Sequence, residues 1–112
     1  MMQIVWQGKD NDTNAKYTLT EEKLVIEKKR RFGRMEETEI WLAGITSMTL
    51  KHSGIGGLFG KGTIHCWTAG GMREFEMNVS DAKKVKEMLS AQVEKQRAAD
   101  RSIMGVRLAA AN

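Results

Sequence analysis

A single cysteine, Cys66, among 112 residues rules out an internal disulfide and fits a reducing compartment. Long apolar runs are missing too. Nothing approaches the roughly 18 consecutive apolar residues of a membrane-spanning helix, and the start of the chain lacks the basic segment and apolar middle of a signal peptide. The expectation is a soluble, cytoplasmic protein, with the inner face of the membrane as its other station. The seven aromatic residues do not interleave with the basic ones as base-stacking platforms would, which argues against nucleic acid as a partner. Of the two histidines, His65 adjoins Cys66 on an expected strand, so the two side chains point to opposite faces and form no nucleophile and base pair. His52 lies one strand away, and no third ligand stands at zinc-like spacing. No catalytic residue, metal, cofactor or small-molecule substrate is therefore expected, and Cys66, in step with Ile64, is expected in the core.

Hydrophobic residues make up 41% and charged residues 29% of the chain, an ordinary globular balance with material for one core. Net charge is +4, from 18 basic and 14 acidic residues. Lys28-Lys29-Arg30-Arg31-Phe32-Gly33-Arg34 holds five of the positive charges, leaving 13 basic against 14 acidic residues elsewhere. Any electrostatic partner should be met at that segment.

The densest signal is Ser53 to Thr63, eleven residues of which five are glycine (Gly54, Gly56, Gly57, Gly60, Gly62), interleaved with Ile55, Leu58 and Phe59. Glycine at that density marks a shaped connection. Gly60-Lys61 suggests the phosphate loop G-x-x-x-x-G-K-[ST], but its first glycine would fall on Ile55 and its magnesium-binding hydroxyl on Gly62. The dinucleotide pattern G-x-G-x-x-G, counted from Gly54, ends on Phe59. Both motifs need a helix next, whereas Thr63 to Thr68 is β-branched and aromatic, a strand.

The rest reads as short strands followed by one helix. Strands are expected at Gln3 to Trp6, Ala15 to Thr20, Lys23 to Lys29, Met35 to Trp41, Ile45 to His52, Thr63 to Thr68 and Met72 to Met77, with a polar loop over Gln7 to Asn14 and a hairpin turn at Ala69-Gly70-Gly71. Short connections imply an antiparallel meander. With Phe32 and Gly33 central to their turn, Lys29 faces Glu36, Lys28 faces Glu37 and Val25 faces Ile40, leaving Arg30, Arg31 and Arg34 uncompensated at the tip. Ser80 then offers an N-cap and Asp81 a first-turn acid, before Ala82, Val85, Leu89 and Val93 recur at helical spacing. The domain is expected over 1–97. Residues 98–112 form a tail, either a helix extension or disordered, with Ile103, Met104, Val106 and Leu108 to bury.

Seven antiparallel strands and a C-terminal amphipathic helix are the order of the pleckstrin-homology superfold, a mainly β barrel or sandwich capped by that helix. At the residue level the chain resembles the bacterial pleckstrin-homology family over about residues 15 to 95. The resemblance is carried by Tyr17-Thr18-Leu19-Thr20-Glu21-Glu22-Lys23-Leu24-Val25-Ile26, by Glu39-Ile40 before Ile45-Thr46-Ser47-Met48, and by Leu58-Phe59-Gly60-Lys61-Gly62-Thr63-Ile64. It implies a non-enzymatic binding module whose bacterial relatives can assemble into rings or larger oligomers. Eukaryotic relatives that hold phosphoinositides spread basic residues over the loop between the first two strands, and here the chain departs. That loop is either Thr20 to Lys23, with two glutamates, or Gln7 to Asn14, with Lys9 and no basic cluster. No lipid-binding residue carries over.

Two surfaces remain as candidates. Ile55, Leu58 and Phe59 either close one end of the barrel or form an apolar contact with a protein partner or a second copy. Lys28, Lys29, Arg30, Arg31, Phe32 and Arg34 either form a solvated hairpin or contact an anionic lipid surface with Phe32 at the tip. Protein contact, including self-association, is the first reading, and the membrane surface is the alternative.

Overall fold

The structure, a computed structural model, describes residues 3–52, 60–69 and 74–111, with side chains up to residue 99. Ile55, Leu58 and Phe59, and the turn at Gly70-Gly71, lie outside the described residues.

Seven strands, β1 (Ile4–Lys9), β2 (Lys16–Thr20), β3 (Lys23–Lys29), β4 (Met35–Trp41), β5 (Ile45–Lys51), β6 (Gly62–Thr68) and β7 (Glu74–Val79), precede one helix, α1 (Ala82–Ala111). All pairings are antiparallel and join consecutive strands, but the meander divides into a four-stranded sheet β1-β2-β3-β4 and a three-stranded sheet β5-β6-β7. The division falls at Leu42–Gly44, one turn of 3-10 helix whose Leu42 is fully buried. Leu42 N–H donates to Glu22 O at 3.0 Å, so the corner is fastened to the β2–β3 turn. That turn is held by the Thr20 hydroxyl, which accepts from the Glu22 and Lys23 amides at 3.3 and 3.1 Å and donates to Lys23 O at 3.0 Å.

The alternation expected of half-buried strands is present on both sheets. Tyr17 and Leu19, Leu24 and Ile26, and Ile40 face inward from the first sheet; Ile64 and Cys66, Met77 and Val79 do so from the second. Cys66 is therefore core, back to back with His65. Ala82, Val85, Leu89 and Val93 of α1, each 3% exposed or less, complete the same cluster. Burying each of the larger ones contributes about 1.5–3 kcal/mol. The far end of this apolar face is pinned: Gln96 Nε2 donates to Glu21 O at 2.8 Å, and the Arg97 guanidinium donates to Ile45 O.

Three expectations need correcting. First, β1 runs on through Gln7, Gly8 and Lys9, which pair with Thr18, Tyr17 and Lys16. These residues looked like loop because an edge strand with one wet face need not be apolar. Gly8 has its own reason there. A Cβ at that position would stand 2.3 Å from the Trp6 ring, which packs against the core and stacks on Tyr17 at 6.3 Å.

Second, the β3–β4 register is one residue away from the expected one. Lys28 faces Glu36, Lys29 faces Met35 and Leu24 faces Ile40. The loop is a five-residue connection with a 3-10 turn at Arg31–Gly33, closed by the Arg30 N–H to Arg34 O bond, and both Phe32 (φ 64) and Gly33 (φ 73) are left-handed.

Third, Ser80 does not cap α1. Its hydroxyl bonds Asn11 Oδ1 at 3.4 Å, while Asp81 O accepts the first helical bond from Val85 N–H and Gly60 O satisfies Ala82 N–H.

Candidate functional site

Antiparallel pairing brings the end of β1, the start of β2, the end of β3 and the start of β4 to one end of the first sheet. The β3–β4 hairpin forms one side of that end. Phe32 at its apex is 98% exposed, and Met35 beside it is 57% exposed. Phenylalanine in the left-handed region is uncommon and costs about 1–2 kcal/mol, and so exposed a ring recovers nothing from packing.

The charges on the hairpin do not divide as the sequence suggested. Arg30, expected to be uncompensated, is paired: its Nε lies 2.5 Å from Glu36 Oε2. The register shift explains this, since Glu36 has moved opposite Lys28, within reach of Arg30. Lys28, Lys29, Arg31 and Arg34 form no ion pair among the described residues. Lys29, Arg31 and Arg34 thus face no acid across the hairpin, whereas Lys28 stands opposite Glu36 and lines a cavity with Glu36, Glu74 and Glu76.

The second side is the β1–β2 loop, and it supplies residues that the sequence reading passed over. Lys9 and Lys16 stand directly opposite each other in the ladder, and with Lys29 they line a cavity of about 200 Å³. Like charges in facing positions are unfavourable. The row continues through Glu27, opposite Lys16, to Glu37, so its two acids lie on the side away from Lys9. The signal existed in the sequence as two lysines flanking a six-residue polar loop, but it becomes basic clustering only once β1 is extended to Lys9.

Asp10, the acid nearest these lysines in the chain, is spent elsewhere. Its Oδ1 accepts the Asp12 and Thr13 amides at 2.9 and 3.0 Å, and its Oδ2 accepts the Tyr17 hydroxyl at 2.5 Å and the Asn78 amide at 3.0 Å. Burial alone would raise the Asp10 pKa, yet the hydrogen bonds from Tyr17, Asn78, Asp12 and Thr13 outweigh it and hold the carboxyl below its ordinary value. The Tyr17 phenol is pushed up in turn, by burial and by the bond to the Asp10 charge. The carboxylate thereby ties the first loop to β7 across the two sheets, so the lysine-bearing end has a fixed base.

The second histidine, His65 on its expected strand, is held between two carboxylates. His65 Nδ1 meets Glu76 Oε1 at 2.9 Å and its Nε2 meets Glu74 Oε2 at 3.0 Å, with the ring stacked on Trp67 at 4.2 Å. Each ring nitrogen meets a different carboxylate, so the three groups do not converge on one point where a metal could sit. Among the described residues no group of three such side chains could hold a metal. Cys66 is sealed in the core, its thiol pushed up to about 12 by burial against a small opposing effect of Lys86. Among the described residues no helix is long and apolar enough to cross a membrane. The glycine-rich segment leads into β6, a strand, as expected, so the helix that a phosphate loop requires is not there.

Comparison with curated proteins and with solved structures returned no match. A family model described as Bacterial PH domain matches residues 4–93, which spans all seven strands and the buried stripe of α1. With the two antiparallel sheets and the closing helix already in place, this match makes the chain a member of the bacterial PH domain family.

Proposed function

We propose that this PH-like binding module docks peripherally on an anionic membrane surface through the end of its first sheet. The observation that carries this reading is Phe32, 98% exposed and left-handed at the apex of a hairpin whose Lys28, Lys29, Arg31 and Arg34 form no ion pair among the described residues. An apolar ring can enter the interface while basic groups around it meet acidic headgroups, each contributing about 1 kcal/mol near the surface. Lys9 and Lys16 at the same end enlarge the basic footprint. Sedimentation with vesicles tests this. Pelleting should require acidic lipid, weaken with salt, and fall about fivefold or more for each charge removed in R31Q and R34Q. Equal pelleting with neutral vesicles, or full pelleting of R31Q/R34Q, removes the reading.

A second reading, protein contact including self-association, is favoured by β4. It is an edge strand of the first sheet, and Met35 and Trp41 at its two ends are 57% and 58% exposed. Unpaired edges recruit other strands. Ile55, Leu58 and Phe59 stay in this proposal as apolar contact candidates. Light scattering after gel filtration discriminates: a monomer at high concentration counts against self-association, and unchanged assembly in W41A excludes the β4 edge.

A further inference from the structure

We propose a separate oxyanion site, of a size and chemistry for a phosphate group, where the ends of β5 and β7 and the start of β6 meet the β1–β2 loop. A cavity of about 240 Å³ there is lined by Asn11, Asp12, Lys51, His52, Lys61 and Asn78. The volume is several times the ~30 Å³ share of one water molecule. The inventory of free hydrogen-bonding groups gives the site its character. Asn78 Oδ1 already accepts the Thr63 hydroxyl at 2.6 Å, and Asn11 Oδ1 accepts the Ser80 hydroxyl at 3.4 Å. With both amide oxygens occupied, each side chain has its NH2 group left to offer. Lys51 and Lys61 add ammonium groups with no ion pair among the described residues, and the His52 imidazole adds a ring N–H donor. Against this stands one carboxylate, Asp12.

A cavity whose unspent groups are mostly donors, two of them cationic, suits an anion with several acceptor oxygens. The placement is built by the fold. Residues near positions 11, 51, 61 and 78 meet because the Asn11 amide donates to Asn78 O at 2.7 Å and Lys51 pairs with Thr63 in the ladder. The site is distinct from the hairpin, and it does not depend on the membrane reading.

The phosphate can come from a soluble molecule or from a phosphomonoester lipid, and two arms separate these sources. In the first, amide shifts of labelled protein are followed while inorganic phosphate replaces chloride at constant ionic strength. The expected result is saturable movement of the Asn11, His52, Lys61 and Asn78 amides, at least about tenfold weaker in K51Q and in K61Q and unchanged in R31Q/R34Q. Both lysines are exposed, and an otherwise preserved spectrum shows that each variant is folded. In the second arm, vesicles of phosphatidic acid are compared with phosphatidylglycerol at matched surface charge. Preference for phosphatidic acid that disappears in K51Q/K61Q assigns the lipid source, and equal pelleting assigns the soluble one. Shifts that grow linearly without saturation, or equal affinity in K51Q/K61Q, overturn the site.

Discussion

At the residue scale, four hydrogen bonds converge on the Asp10 carboxylate. A buried carboxylate survives only when its lone pairs are satisfied, and this one takes donors from its own loop, from β2 and from β7. Replacing it by alanine strands the buried Tyr17 hydroxyl, the Asn78 amide and two loop amides at once, so D10A should lower unfolding free energy by about 3 kcal/mol in urea titrations. Y17F removes one donor and should cost about 1–2 kcal/mol. An equal loss in both variants would mean that the Asp12, Thr13 and Asn78 amides contribute nothing. Gly8 makes a second residue-level prediction. G8A drives a Cβ into the Trp6 ring, so Trp6 must leave its stack on Tyr17. The expected outcome is a loss of about 1–3 kcal/mol with an altered tryptophan emission spectrum, and an unaltered spectrum would show that the ring has room to spare.

At the scale of elements, the β3–β4 hairpin separates stability from binding. Phe32 contributes nothing to the core and sits in a conformation that glycine takes without strain. F32G should therefore unfold at the same temperature as the parent or slightly above it, the relief of about 1–2 kcal/mol being offset in part by the greater freedom of glycine in the unfolded chain. Its pelleting with acidic vesicles should nevertheless fall. A hairpin that is merely solvated would leave pelleting untouched. The helix behaves oppositely: Leu89 is 1% exposed, and L89A should cost about 2–5 kcal/mol through the cavity it leaves. These two elements also show what the sequence could reveal. The stripe Ala82, Val85, Leu89, Val93 was legible because helical period and burial agree residue by residue. The hairpin register was not, because Gly33 advertises a left-handed turn residue while Phe32, equally left-handed, does not; that second unexpected residue shifts every facing pair by one and gives Glu36 to Arg30.

For the whole molecule, local pattern set the order of strands and the closing helix, whereas closure itself was hidden. The corner at Leu42, the span from Asp10 to Asn78, and the gathering of Lys9, Lys16 and Lys29 depend on contacts between segments far apart in the chain, and no window of sequence contains them. That same closure sets how stability responds to pH. Asp10 has a folded pKa below its ordinary value of 3.8, so its contribution is fully present above that value and drains away as pH falls through the folded pKa. Cys66 moves the other way, from 9.0 to about 12, and Tyr17 is raised above its ordinary 10.0. Their contributions are intact below about pH 9 and are lost as pH climbs toward about 12, because the unfolded chain gives up those protons first. Urea midpoints at about pH 3, 7 and 10.5 should therefore form a plateau with two falling limbs. D10N should flatten the acid limb, and Y17F should make the alkaline limb shallower without removing it, because Cys66 still contributes there, each variant in its own background of lower stability. A midpoint at about pH 10.5 equal to that at pH 7 would show that Cys66 and Tyr17 ionise inside the folded protein, and the sealed core drawn around Ile64, Cys66 and Met77 would have to be redrawn as one that admits water.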